Sequence, residues 1–188
     1  VQRKSVIEAA KLADMELTAI IDEPIAAALY YSHQVEQIED EIIMVYDFGG
    51  GTFDVSILSV SSGFFDVDAS TGEHRLGGDD MDERIIAHVT KALQKELGKG
   101  AKIDQALQAT LKEAAEEAKI ALSTEESTRI TIPFVAENRP PFSMELTREK
   151  LESLIQDLID RTREPMERAL QDASLEKEEI DDILLVGG

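Results

Sequence analysis

The chain has 188 residues, 43% of them hydrophobic, with 19 Lys and Arg against 39 Asp and Glu and a net charge of −20. That length and apolar content exclude a disordered chain and suffice for one large domain or two lobes. The charge argues against broad nucleic-acid or anionic-membrane binding, no apolar run approaches the ~20 residues of a membrane span, and the lack of cysteine excludes disulfides and thiolate zinc sites.

Residues Gln2 to Leu12 place Val6, Ile7 and Ala10 at helical spacing, with Ala13 continuing it. Leu17 to Ile21 reads as a short strand. Pro24 opens an alanine-rich helix, Ile25 to Tyr31, and Glu23 suits its positive end. Gln34 to Glu41 is a polar, acidic connector. Three strands follow, Ile42 to Tyr46, Phe53 to Val60 and Phe64 to Ser70, with a turn at Ser61-Ser62-Gly63. They predict an antiparallel meander. Thr71-Gly72 and Leu76 to Asp80 punctuate the chain before a helix carrying Met81, Ile85, Val89, Ala92 and Leu93, which ends near Gly98. A second helix runs from about Asp104 to Leu122, with Leu107, Leu111, Ala115, Ala118 and Leu122 on one face. Arg129 to Val135 is a strand that Pro133 confines to an edge or bulge. Met144 to Leu146 is its expected partner. A long helix starts at Thr147, an N-cap, and Pro165 should kink or divide it. Ile183 to Val186 is a last buried strand, directly followed by Gly187-Gly188. Both ends read as cut from a longer protein.

The densest chemical signal is Asp47-Phe48-Gly49-Gly50-Gly51-Thr52, between the first two strands of the meander. Three glycines leave a turn without side-chain shielding, so backbone N–H groups can approach an anion closely. Asp47 enters the turn with a carboxylate suited to a hydrated magnesium ion, and Thr52 leaves it with a hydroxyl able to orient water or phosphate. A plain tight hairpin turn explains the same residues about as well. The turn is not a P-loop, because G-x-x-x-x-G-K-[ST] is absent and a strand follows.

Five segments in order then resemble one family. Ile21 to Leu29 resembles I-N-E-P-T-A-A-A. Tyr46 to Asp54 resembles Y-D-L-G-G-G-T-F-D, and His74 to Asp82 resembles H-L-G-G-[ED]-D-F-D. Leu111 to Ser123 is similar to an adenosine-binding helix, and Ile180 to Gly188 to the start of a second adenosine motif. On these segments the chain resembles the nucleotide-binding domain of the DnaK-type seventy-kilodalton heat-shock chaperones, over essentially its whole length.

The resemblance implies an α/β, actin-like (ribonuclease H-like) ATPase lobe with an antiparallel meander and an inserted α+β subdomain. Residues 1–40 would be a remnant of a first lobe, 41–78 and 146–188 the second-lobe core, and 79–145 the inserted helix-rich part. It implies ATP or ADP with Mg2+ and K+. Asp47 and Glu23 would act on the magnesium shell or the attacking water, and Thr52 would lie near the transferred phosphoryl group. Gly49, Gly50 and Gly51 would line the phosphate path, and Asp54 would help hold the monovalent cation. Gly77 and Gly78 would let backbone approach the nucleotide. Glu116, Lys119, Ile120 and Ser123 would meet adenosine from one helix, and Gly187 and Gly188 would sit by base and ribose. Glu116, Lys119 and Ser123 do share a helical face by spacing.

The implied function is ATP hydrolysis coupled to binding and release of unfolded polypeptide through a domain absent here. A J-domain co-chaperone, a nucleotide-exchange factor and a cytoplasmic location come with it. The family's first phosphate motif and its phosphate-contacting lysine are not among these residues, so the chain alone is expected to hydrolyse ATP weakly or not at all. Two rivals share the fold class: a small-metabolite kinase of the actin-like superfamily and a nucleotide-dependent filament protein. Asp47-Phe48-Gly49 also spells the protein-kinase magnesium triplet, but no H-R-D loop accompanies it. His33, His74 and His88 are too scattered for a metal site.

Overall fold

The computed structural model describes residues 2–33, 40–98, 103–135 and 139–188. The elements in order are α1 (Gln2–Leu12), α2 (Glu23–Ser32), β1 (Glu41–Phe48), β2 (Phe53–Ser61), β3 (Phe64–Glu73), α3 (Gly78–Leu97), α4 (Gln105–Ala121), β4 (Ser127–Ile132), β5 (Phe142–Thr147), α5 (Arg148–Arg161), α6 (Arg163–Ala173) and β6 (Asp182–Gly187). Of the acidic connector predicted at Gln34 to Glu41, residues 34–39 lie outside the described residues. Four strands form one sheet in the order β3-β2-β1-β6, and β4 and β5 form a separate pair. The turns joining β1 to β2 and β2 to β3 are too short for a parallel crossover, so these neighbours run antiparallel.

Leu17 to Ile21 forms no strand. Isolated β-branched and apolar residues do not make a strand without a ladder partner, and Leu17 and Ile21 stay exposed. The strand predicted to reach Val135 stops at Ile132, before the proline that cannot donate to a ladder.

The chain divides into two compact units. The first comprises Val1–Asp47, Val55–Ser70 and Ala169–Val186. Its core joins Ala28 to Ile43, Val45, Leu58 and Val60, with Ile25, Ala27 and Tyr31 packed against them. Alternation along β1 and β2 selects these side chains. Pro24 stands in the first turn of α2, where its missing N–H costs nothing. Tyr31 donates to Asp182 Oδ2 at 2.8 Å, and the Ile42 amide donates to Asp181 Oδ2 at 2.8 Å.

The second unit comprises Phe48–Asp54, Thr71–Arg168 and Gly187–Gly188. Its core takes Ile85, Val89 and Leu93 from α3, and Leu107, Leu111, Ala115 and Ala118 from α4. Ile130, Ile132, Phe142 and Leu146 close it from the hairpin, whose register pairs Ile130 with Met144 and Ile132 with Phe142. Asp104 caps α4 by accepting from the Leu107 amide at 2.9 Å. Thr147 caps α5 through the Lys150 amide at 3.2 Å. Arg148 ties the start of α5 to the end of α4 by donating to Leu122 O at 2.9 Å and pairing with Glu126 at 2.8 Å. Pro165 falls in the first turn of α6, after a break at the buried Thr162. The long helix is therefore divided, with the proline on the side where its ring is tolerated.

Candidate functional site

The glycine turn, the start of α3 and the end of α4 lie in the second unit and meet there. Gly49 N donates to Thr52 O at 2.9 Å and closes the turn. Phe48 and Phe53 flank its base with ring centroids 6.0 Å apart. β6 ends hard against this base. Gly187 has φ +108°, and a Cβ there would collide with the Phe48 backbone, so both conformation and space require glycine. Gly188 is exposed.

The first turn of α3 docks on the glycine turn. Gly78 N donates to Gly49 O at 2.9 Å and Asp79 N to Gly50 O at 2.7 Å. These are two of the amides that every helix start leaves without an intrahelical partner. Asp80 Oδ2 accepts from Gly77 N at 2.9 Å and completes the cap. Gly77 is extended, with φ −174°, a conformation open to any residue. Glycine is needed there for space: a Cβ would stand within 3 Å of both Gly49 O and Gly50 O.

This docking fixes the direction of the turn's amides. Every peptide bond in the described residues is trans. In a trans peptide, C=O and the following N–H point in opposite directions. Gly49 O and Gly50 O face α3, so the N–H groups of Gly50 and Gly51 face away from it. On that side both glycines are exposed, and a Cβ at either would meet nothing within 4 Å. Neither has φ in the left-handed region. Backbone strain and crowding therefore do not account for these two glycines. A bare, outward-pointing pair of amides is what remains, an arrangement whose chemistry suits an anion.

From α4, the Lys119 ammonium reaches back to the α3 start. It donates to Gly78 O at 3.2 Å and lies 2.8 Å from Asp82 Oδ1. Asp82 is buried and Lys119 partly so, with side chains 5% and 21% exposed. Glu116 and Ile120 are exposed on α4, while Leu111, Ala115 and Ala118 are buried on its other side. α4 ends at Ala121, so Ser123, though exposed, lies in the turn beyond the helix and not on the face it was expected to share with Glu116 and Lys119. Ser123 Oγ makes a long contact, 3.5 Å to Lys119 O. Asp54 is exposed, with its carboxylate against Gly72, where a Cβ would stand 2.6 Å from Oδ1. Thr52 is exposed as well.

Two predicted residues belong to the first unit. Asp47 is partly buried near the end of β1, two residues before the turn. Glu23 opens α2 and lines a cavity of about 510 Å³ with Arg3, Asp22, Pro24 and Val67, where Arg3 and Asp22 pair at 2.5 Å. Among the described residues no group of three His, Asp or Glu side chains is placed to hold a metal ion, and no helix is long and apolar enough to cross a membrane.

Asp82 was not singled out by role from the sequence. It continues the stripe Ile85, Val89, Leu93 at helical spacing, so an acid on an apolar face was the available signal.

The fold and this site define a mixed α/β protein whose glycine hairpin turn is seated on a helix N-terminus. Compared with known protein families, the chain matches the family described as Hsp70 protein over residues 1–188. It belongs to the Hsp70 family. Members of that family are chaperone ATPases with an actin-like fold; they bind nucleotide with Mg2+ and work with unfolded polypeptides and co-chaperones.

Proposed function

We propose that this chain is the ATP-binding part of a DnaK-type chaperone that couples ATP hydrolysis to binding and release of unfolded polypeptide. The observation that carries the reading is the outward direction of the Gly50 and Gly51 amides on an exposed turn. Two adjacent main-chain donors suit phosphate oxygens. The Thr52 hydroxyl stands next in the chain to orient a phosphoryl oxygen or a water. The distant −20 charge does not forbid this, because solvent screens remote charges over about 8 Å at physiological salt.

The remaining assignments follow the family resemblance. Gly49, Gly77 and Gly78 give backbone access around the phosphates. Glu116, Lys119, Ile120 and Ser123 meet adenosine, with Gly187 and Gly188 by base and ribose. Magnesium keeps several waters and is held by phosphates with one or two carboxylates, so a protein cage is not required. Asp47 and Glu23 are the carboxylates that would hold its waters, and Asp54 would serve K+. Bound there, the ion would neutralise charge on the phosphates. By the same resemblance Asp47 and Glu23 would orient water and Thr52 would align it, and the turn amides would hold the phosphate oxygens. Loss of the terminal phosphate removes acceptors from the turn and shifts a two-state equilibrium that polypeptide affinity senses. A J-domain co-chaperone, a nucleotide-exchange factor and the cytoplasm complete the reading. The 188 residues alone should turn ATP over weakly or not at all.

Titration with labelled ADP and ATP, with and without Mg2+, tests this. Binding strengthened by Mg2+ is expected. A chain that ignores nucleotide, or binds it equally well without the metal, refutes the reading.

A further inference from the structure

Asp82 is the most buried carboxylate beside the site and has no role in the reading above. It lies near the start of α3, at helical spacing from Ile85, Val89 and Leu93, which pack into the second core, and its side chain is 5% exposed. Burying an acid costs several kcal/mol unless a partner compensates it. The compensating group is the Lys119 ammonium at 2.8 Å. The pairing is incomplete: no aligned hydrogen bond reaches Asp82 Oδ1. Lys119 has three N–H donors, and one is given to Gly78 O. Donor capacity therefore remains on an ammonium that is still partly exposed.

The position of that ammonium is specific. Nζ lies 3.1 Å from the point a Gly78 Cβ would occupy, and Gly50 Cα lies 3.8 Å from the same point. A lysine on α4 left to itself would extend into solvent or towards Glu116 one turn earlier. Drawn back by Asp82, it instead bridges the exposed α4 face and the backbone under the glycine turn.

We propose that Asp82 is a positioning residue for nucleotide recognition: it holds the Lys119 ammonium at the junction between the α4 face and the glycine turn, where a bound nucleoside diphosphate accepts its free hydrogen bond. This rests on the nucleotide reading of the site. Asp82 touches no ligand, and its effect on affinity passes through Lys119.

The test is a double-substitution cycle on labelled ADP binding in the intact protein, with thermal unfolding measured alongside. Lys119→Gln should weaken ADP about tenfold, the worth of a hydrogen bond to a charged group. Asp82→Asn should weaken it severalfold when Lys119 is present and have no further effect in the Lys119→Gln background. Asp82→Glu, which keeps the charge, should restore most of the affinity. If Asp82→Asn lowers affinity equally in both backgrounds, or only lowers thermal stability, the proposal is overturned while the nucleotide reading stands. Should Asp82→Asn fail to fold, Asp82→Glu against Lys119→Gln decides: a glutamate that loses as much affinity as the glutamine variant removes the positioning role. Failure of the unsubstituted protein to bind ADP overturns both.

Discussion

Replacing Gly77 with alanine and Gly50 with alanine should give opposite phenotypes. The methyl of Gly77→Ala would stand within 3 Å of Gly49 O and Gly50 O, which are main-chain atoms and cannot rotate away. Relief requires the start of α3 to lift from the turn. That movement breaks two hydrogen bonds, Gly78 N to Gly49 O at 2.9 Å and Asp79 N to Gly50 O at 2.7 Å. Each is worth about 1 kcal/mol, and overpacking adds about 1–3 kcal/mol. The expected loss is about 3–5 kcal/mol, a drop of about 1–5 M in a urea midpoint at the usual slopes of about 1–3 kcal/mol/M. Backbone conformation adds nothing, since φ −174° suits alanine. Gly50→Ala places its methyl in open space, so its stability should change by less than about 0.5 kcal/mol. That methyl shields the amide edge, and labelled-ADP affinity should fall about tenfold or more. Urea unfolding and an ADP titration on both variants decide. A Gly77→Ala protein as stable as the original would refute the docking described here, and a Gly50→Ala protein with unchanged ADP affinity would refute the role given to the turn.

Burial, with Asp182 and Asp181 nearby, raises the Glu41 carboxyl pKa, so the fold holds its proton more tightly than the unfolded chain does. The associated stability is present below the ordinary carboxylate range, about pH 4, and is lost as pH rises through the raised value. Glu41→Gln should therefore be more stable than the original at pH 7, with the gain vanishing near pH 4 in urea melts at each pH. Burial, with Lys150 and Lys91, lowers the His88 pKa, so the fold disfavours its protonation. Its stability contribution is present above the ordinary histidine value and is lost as pH falls below about 6.5. NMR should show the His88 ring titrating below that value, and His88→Gln should flatten the pH slope of stability in the same range. Asp47→Asn should weaken Mg2+-dependent ATP turnover in the intact protein, as read by phosphate release across a magnesium series. Unchanged turnover and metal dependence would remove Asp47 from the metal shell.

Local signals were legible where the sequence carries its own instruction. The apolar stripe from Leu107 to Leu122 gave α4 within a residue, and its buried face is the expected one. Thr147 was legible as a cap because a hydroxyl before a helical period has one obvious acceptor role. Leu17 to Ile21 misled because a strand is a property of a pair, and a single segment does not announce its partner. The site was half legible. Three glycines between strands pointed to bare backbone, but not to which edge of it faces outward. That depends on Gly78 and Asp79 capturing two carbonyls, a tertiary fact. Lys119 was legible only as one of a helical face meeting adenosine; that its ammonium turns back to a buried acid was not, because Asp82 is on another helix, far away in the chain.

The most direct test is amide NMR of the chain titrated with ADP and Mg2+. The Gly50 and Gly51 amide resonances should shift first and furthest, because their N–H groups are the proposed phosphate donors. If those two stay fixed while nucleotide binds and moves amides elsewhere, the glycine turn is not the phosphate site.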